Sequence, residues 1–144
     1  CKVGIMVEIP AIALLAKEAA ALVDFASIGT NDLCQYLSAA DRQNPQVEPY
    51  YQQSLPAVLR MIAGIVRDFG DKPLSVCGEM GGDRLLAPVL AGLGLHKLSM
   101  SAARIAGVKH VLAEKTLPQL QGLAQHALAL PTAEEIRAYL EQSL

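Results

Sequence analysis

Short apolar runs alternate along the chain with longer stretches of helical spacing. Residues 3 to 7 are apolar and end at Glu8. Pro10 then opens a segment with apolar positions Ile12, Leu15, Ala19 and Leu22, the spacing of an amphipathic helix whose first turn tolerates proline. A second run, Phe25 to Ile28, ends in Gly29-Thr30-Asn31-Asp32, after which Leu33 to Ala40 is predicted as a short helix. Residues 41 to 53 are polar and hold Pro45 and Pro49, which predicts a long loop of the kind that is often functional. Leu55, Val58, Leu59, Ile62, Ile65 and Phe69 mark a helix from about Leu55 to Phe69, with Ser54 as its cap and Pro56 in its first turn. The third run is Leu74 to Cys77. It leads through a flexible Gly78 to Gly82 turn to Asp83, the cap of a helix carrying Leu86, Val89, Leu90 and Leu93. Lys97 to Met100 is predicted as a fourth strand and about Ala103 to Glu114 as its helix. Two further helices close the chain: Leu117 to Ala129 capped by Thr116, and Thr132 to Leu140, where Thr132-x-x-Glu135 is a capping box.

Four strands alternating with helices predict an α/β fold with a parallel sheet, since parallel neighbours need crossover connections. Open doubly wound sheets and barrels share that pattern. The polar residues at the strand ends, Glu8, Asn31, Asp32, Cys77, Ser99 and Ser101, favour a barrel, whose chemistry sits on that face. A complete (β/α)8 TIM barrel takes eight strands and about 250 residues. The expectation is therefore half a barrel over residues 1–144: four parallel strands with their helices and two extra C-terminal helices. Ile5, Val7, Ile28 and Val76 are expected on its inner face, without opposite strands to cover them, and both sheet edges are expected to be free.

Composition narrows the class. With 144 residues, 52% hydrophobic and a formal charge of −2, the chain is neither disordered nor collagen-like. No Lys/Arg cluster suggests a nucleic-acid footprint, and no apolar run approaches the roughly 18 residues of a membrane span, so neither partner is expected. Three cysteines, Cys1, Cys34 and Cys77, lack C-x-x-C or Cys/His ligand spacing. That disfavours a disulfide framework or zinc site and fits a reducing, cytoplasmic compartment. The chain opens at Cys1 directly on a strand, which predicts a piece of a longer protein.

Glu8 and Asp32 are separated by the length of one β-α-β step, so both carboxylates are expected at neighbouring strand ends. Hard oxygen ligands there suit Mg2+, which takes one or two carboxylates with substrate oxygens and waters. The bland alternative is that each acid caps a helix or pairs with a basic side chain. Arg42, in the loop, offers a guanidinium for a phosphate or carboxylate, although a surface arginine is the commoner fate. Cys77, at a strand end before a glycine, suits an acid or a nucleophile, against simple buried packing. The Gly78–Gly82 stretch matches no Walker or dinucleotide motif, and His96, His110 and His126 follow no ligand or triad spacing.

Asp24-Phe25-Ala26-Ser27-Ile28-Gly29-Thr30-Asn31-Asp32-Leu33-Cys34-Gln35-Tyr36, through Asp41-Arg42, resembles the signature of phosphoenolpyruvate-utilising enzymes. Gly4-Ile5-Met6-Val7-Glu8-Ile9-Pro10 and Cys77-Gly78-Glu79-Met80-Gly81-Gly82-Asp83 resemble the blocks around it, in the same order. Leu55-Pro56-Ala57-Val58-Leu59 and Leu98-Ser99-Met100-Ser101-Ala102 resemble the enzyme I family of the sugar phosphotransferase system more closely than the dikinases. The resemblance spans nearly the whole chain. It implies the C-terminal half of a phosphoenolpyruvate-binding barrel, in a protein that moves the phosphoryl group of phosphoenolpyruvate onto a histidine elsewhere in the chain and then to the phosphocarrier HPr, leaving pyruvate. It also implies a homodimer, with Glu8 and Asp32 as Mg2+ ligands, Asn31 as a phosphate contact, Arg42 as a phosphate-binding cation, and Cys77 as the acid that protonates the enolate carbon. The alternatives are a pyruvate phosphate dikinase or phosphoenolpyruvate synthase fragment, or a dimerisation or regulatory module of a phosphotransferase paralogue. Cys34 stands where the family usually has Thr, Gln43 where Gly is common, and Arg104 and Ala106 where Ser and Pro usually open the helix. A Thr-x-His-Ala-like segment and the first half of the barrel are missing from these residues, so the chain is not expected to run the reaction alone.

Overall fold

The computed structural model describes residues 1–144. The element order is β1 (Gly4–Val7), α1 (Pro10–Leu14), α2 (Ala16–Leu22), β2 (Phe25–Gly29), α3 (Thr30–Ser38), α4 (Pro56–Phe69), β3 (Leu74–Cys77), α5 (Leu86–Gly92), α6 (Ala102–Ala113), α7 (Leu117–Ala129) and α8 (Ala133–Ser143), with 3-10 turns at Glu48–Tyr50 and Glu79–Gly82. Three strands form one parallel sheet in the order β1-β2-β3. The α/β class and the parallel sheet follow the sequence pattern; the fourth strand does not. Lys97 to Met100 contributes a single bridge, Leu98 to Val76, closed by Val76 N–H to the Lys97 carbonyl and Ser99 N–H to the Val76 carbonyl, both at 2.9 Å. Nothing pairs with its far side, and the chain turns away into α6 after Met100, so the ladder stops after one residue.

Strand periodicity decides which face is covered. Ile5, Ala26 and Leu74 share one row, and Val7, Ile28, Val76 and Leu98 the next. Val7, Ile28 and Val76 are fully buried. The expectation that these residues face an uncovered interior is therefore corrected: the helix layer covers them, because α4 and α5 offer the larger apolar surface in Val58, Leu59, Ile62, Ile65, Leu86 and Leu90. The open face carries the other parity. Phe25 lies over Gly4, Met6 lies beside Ser27 and Ser75, and Gly29 lies beside Cys77.

Several local predictions are also corrected. The segment after Pro10 breaks at Leu15 into α1 and α2. Helix α3 begins at Thr30, not Leu33, because β2 passes into it directly at Gly29, and Asn31 and Asp32 thereby lie in its first turn. Ser54 is buried and caps nothing; Leu55 holds the cap position of α4, and Pro56 supplies a first-turn residue that needs no N–H partner. The glycine-rich turn after β3 is a buried 3-10 turn at Met80, Gly81 and Gly82. By contrast, Thr116 and Gln119 form a capping box on α7, and the Thr132 side chain accepts from Glu135 N–H at the start of α8, as its capping box predicts. Helices α7 and α8 then cover the outer side of α4 and α5 with Leu123, Ala127, Ile136 and Leu140. No helix is long and apolar enough to cross a membrane.

Candidate functional site at the strand ends

The chemistry-bearing residues collect where β1, β2 and β3 end. Glu8 follows β1, and a Cβ at Gly29 would lie 2.7 Å from Glu8 Cβ and 2.9 Å from its Oε2. Since Gly29 also pairs with Cys77, a row Glu8, Gly29, Cys77 crosses the open face at the strand ends. The missing side chain at Gly29 is what lets the carboxylate lie across the strand. Cys77 is partly exposed, and its Sγ donates to the Ile28 carbonyl at 3.5 Å.

Helix α3 is bolted to β3 by its first residue. Thr30, fully buried, donates from Oγ1 to the Cys77 carbonyl at 3.1 Å. Gly78 comes next with φ of +113°, a conformation that favours glycine, and a Cβ there would collide with Thr30 Oγ1 and lie 2.9 Å from Asn31 Oδ1. Asn31 Oδ1 accepts from Glu79 N–H at 3.3 Å and from Gln53 Nε2 at 3.1 Å, while its carbonyl accepts from Tyr51 Oη at 3.3 Å. The long loop thus folds back over α3.

Asp32 lies in the first turn of α3, where the helix dipole favours a carboxylate. Its Oδ1 is 3.5 Å from the Arg42 guanidinium, with both side chains 36% exposed. Asp32 accordingly pairs with a basic side chain and caps nothing, in a pair worth about 0–1 kcal/mol at this exposure. The pair brings together two groups expected at the substrate, Asp32 also as a metal ligand. Burial pushes the Tyr51 hydroxyl above its usual range, against the opposing pull of Gln53 hydrogen bonding and the Arg42 charge.

Beside this row lies a polar cleft of about 610 Å³ lined by Gln53, Gly78, Glu79, Ser99, Ser101 and Arg104. The sequence had placed Ser99 and Ser101 at this end and flagged the loop as a whole; it did not single out Gln53, Tyr51 or Thr30. The loop's length and polarity were the only signal that could have found the first two. For a divalent cation, the strand-end carboxylates are those of Glu8, after β1, and Asp32, in the first turn of α3; no group of three or more His, Cys, Asp or Glu side chains able to hold a metal ion exists. Two carboxylates fit Mg2+, which keeps waters and substrate oxygens in its remaining positions, and fit poorly a metal needing a full protein cage.

The sequence model of the family described as PEP-utilising enzyme, PEP-binding domain, matches residues 1–117. The chain belongs to the PEP-utilising enzymes. The match covers every element that builds the strand-end row, from β1 through α6. The chain is 40% identical over 144 residues to the phosphoenolpyruvate-protein phosphotransferase of Bacillus subtilis, covering 99% of this chain and 25% of that protein. It is 44% identical to the phosphoenolpyruvate-protein phosphotransferase of Mycoplasma pneumoniae, covering 98% of this chain and 25% of that protein. A multiphosphoryl transfer protein of Xanthomonas campestris is 46% identical over 138 residues, 94% of this chain and 16% of that protein. The chain thus spans about a quarter of the length of the phosphoenolpyruvate-protein phosphotransferases it matches.

Proposed function

We propose that this chain is the C-terminal half of the phosphoenolpyruvate-binding barrel of a cytoplasmic phosphoenolpyruvate-protein phosphotransferase, which passes the phosphoryl group to a histidine in another part of the protein and then to HPr. The observation that carries the reading is the convergence of Glu8, Asn31, Asp32 and Cys77 on one end of the sheet, fixed by the bond from Thr30 to the Cys77 carbonyl. In this reading Glu8 and Asp32 hold Mg2+, which when bound neutralises charge on the phosphoryl oxygens. Asn31 donates to the phosphate. Arg42, tethered to Asp32 by a weak half-exposed pair, turns its guanidinium to the same phosphate when substrate arrives. Cys77 stands on the open face and gives its proton to the enolate carbon as the P–O bond breaks and pyruvate forms. Phosphoryl transfer needs positioning and charge neutralisation, while an enolate leaving group needs a carbon acid–base partner, and the row supplies groups for each.

The test is Asp32→Asn in the full-length gene product. Phosphorylation by phosphoenolpyruvate is expected to fall at least a hundredfold at millimolar Mg2+, because one of two protein ligands and its charge are lost. Unchanged turnover with unchanged Mg2+ dependence would overturn the assignment.

A further inference from the structure

An asparagine can meet a phosphate in two opposite ways: its NH2 donates to the phosphate oxygens, whereas its own oxygen repels them. Which side Asn31 presents depends on what fixes its amide. The backbone N–H of Glu79 can only donate and lies 3.3 Å from Asn31 Oδ1, so the atom on that side is oxygen. Gln53 Nε2 donates to the same oxygen at the shorter distance of 3.1 Å, reaching across from the far end of the loop. Gly78 leaves the room for this approach, since any Cβ there would sit 2.9 Å from Oδ1. Two donors on one oxygen hold the amide in one orientation. Asn31 Nδ2 then has no partner within the protein, and since no buried side-chain nitrogen or oxygen is left without one, Nδ2 is not sealed from solvent.

We infer that Gln53 is a positioning residue for phosphoenolpyruvate: it locks the Asn31 amide so that the NH2, and not the oxygen, meets the substrate phosphate. The inference rests on the reading of Asn31 as a phosphate contact. Gln53 acts through Asn31 and takes no part in bond making or breaking. Its position suits the task, because it lines the polar cleft at the strand ends while anchored beside the start of α4.

The experiment measures steady-state turnover of phosphoenolpyruvate by the full-length gene product with Gln53→Met, Gln53→Glu and Asn31→Ala, singly and combined. Methionine keeps the length of the side chain and removes the donor; glutamate sets an acceptor against Oδ1 and drives the amide to turn over. The KM for phosphoenolpyruvate should rise about tenfold in Gln53→Met and further in Gln53→Glu, with kcat within about twofold, the pattern of a contact made equally in ground and transition states. In the Asn31→Ala background neither Gln53 substitution should raise KM again. A KM unmoved by Gln53→Met and Gln53→Glu while Asn31→Ala raises it would overturn the inference and spare the phosphate reading. So would Gln53 effects that persist undiminished without Asn31. A KM unmoved by Asn31→Ala would overturn the phosphate reading, and the inference with it. If the Gln53 variants fail to fold, the unsubstituted protein gives a second readout: with asparagine-selective nitrogen labelling, the Asn31 NH2 resonances should shift on adding phosphoenolpyruvate, and their invariance would overturn the proposal.

Discussion

Two of the three thiols sit in contrasting surroundings. Cys34 is fully buried, and desolvation pushes it from 9.0 up to about 11. A thiol whose folded value lies above its unfolded one contributes stability that is fully present below pH 9 and is lost as pH rises toward 11. Urea unfolding between pH 8 and 11 should therefore show stability falling by on the order of 2 kcal/mol, with the raised Tyr51 hydroxyl acting in the same direction at the upper end. Cys34→Ser should flatten the Cys34 part of that slope while keeping a donor for the Gln52 carbonyl. Cys77, partly exposed on the open face, is the proposed proton donor. Cys77→Ala in the full-length gene product should slow pyruvate formation about 100- to 10,000-fold and leave phosphotransfer from the phosphorylated protein to HPr nearly unchanged; equal loss in both half-reactions would refute the role. The placement of Glu8, Asn31, Asp32 and Cys77 at one sheet end was legible because strand ends can be read from apolar runs. The Asp32–Arg42 pair and the Gln53–Asn31 bond were not legible, because they depend on how a long irregular loop folds back, which no periodicity encodes.

Among the elements, helices with a strong stripe were the most legible. Helix α4 lies within one residue of the boundary its apolar spacing predicts, and α7 and its cap coincide with prediction. Lys97 to Met100 reads as a strand in sequence but forms only one bridge, because a ladder also needs neighbours and it has only Val76. The assignment of Ile5, Val7, Ile28 and Val76 to an uncovered face failed for a related reason: alternation separates two faces but does not say which one the helices claim. Helix packing sets its own tight point at Gly92. A Cβ there would collide with the Leu120 carbonyl oxygen and lie 2.6 Å from its carbon, so α5 and α7 touch backbone to backbone. Gly92→Ala should cost about 1–3 kcal/mol by forcing the helices apart, seen as a lowered thermal midpoint without change in the far-ultraviolet spectrum.

At the level of the whole molecule, the sheet is covered on one face only. Met6 and Phe25 are 50% and 43% exposed on the open face, β1 is a free edge, and Val3, Leu14 and Leu22 are exposed as well. The isolated 144-residue chain should self-associate, its weight-average mass in light scattering climbing above 15.3 kDa with concentration; a stable monomer would show that this surface is tolerated bare. The opposite side of the molecule is closed by α7 and α8, and there the stretch matched by the family and the unit of folding part company. The family match ends at residue 117, yet the core it bounds is finished by Leu123, Ala124, Ala127, Ile136 and Leu140, all of which come later. A chain trimmed at residue 117 would lift the roof from α4 and α5, while leaving every residue of the strand-end row in place. Changes in the last two helices would thus be felt as loss of folded protein before any loss of chemistry, because what those helices supply is the cover over α4 and α5.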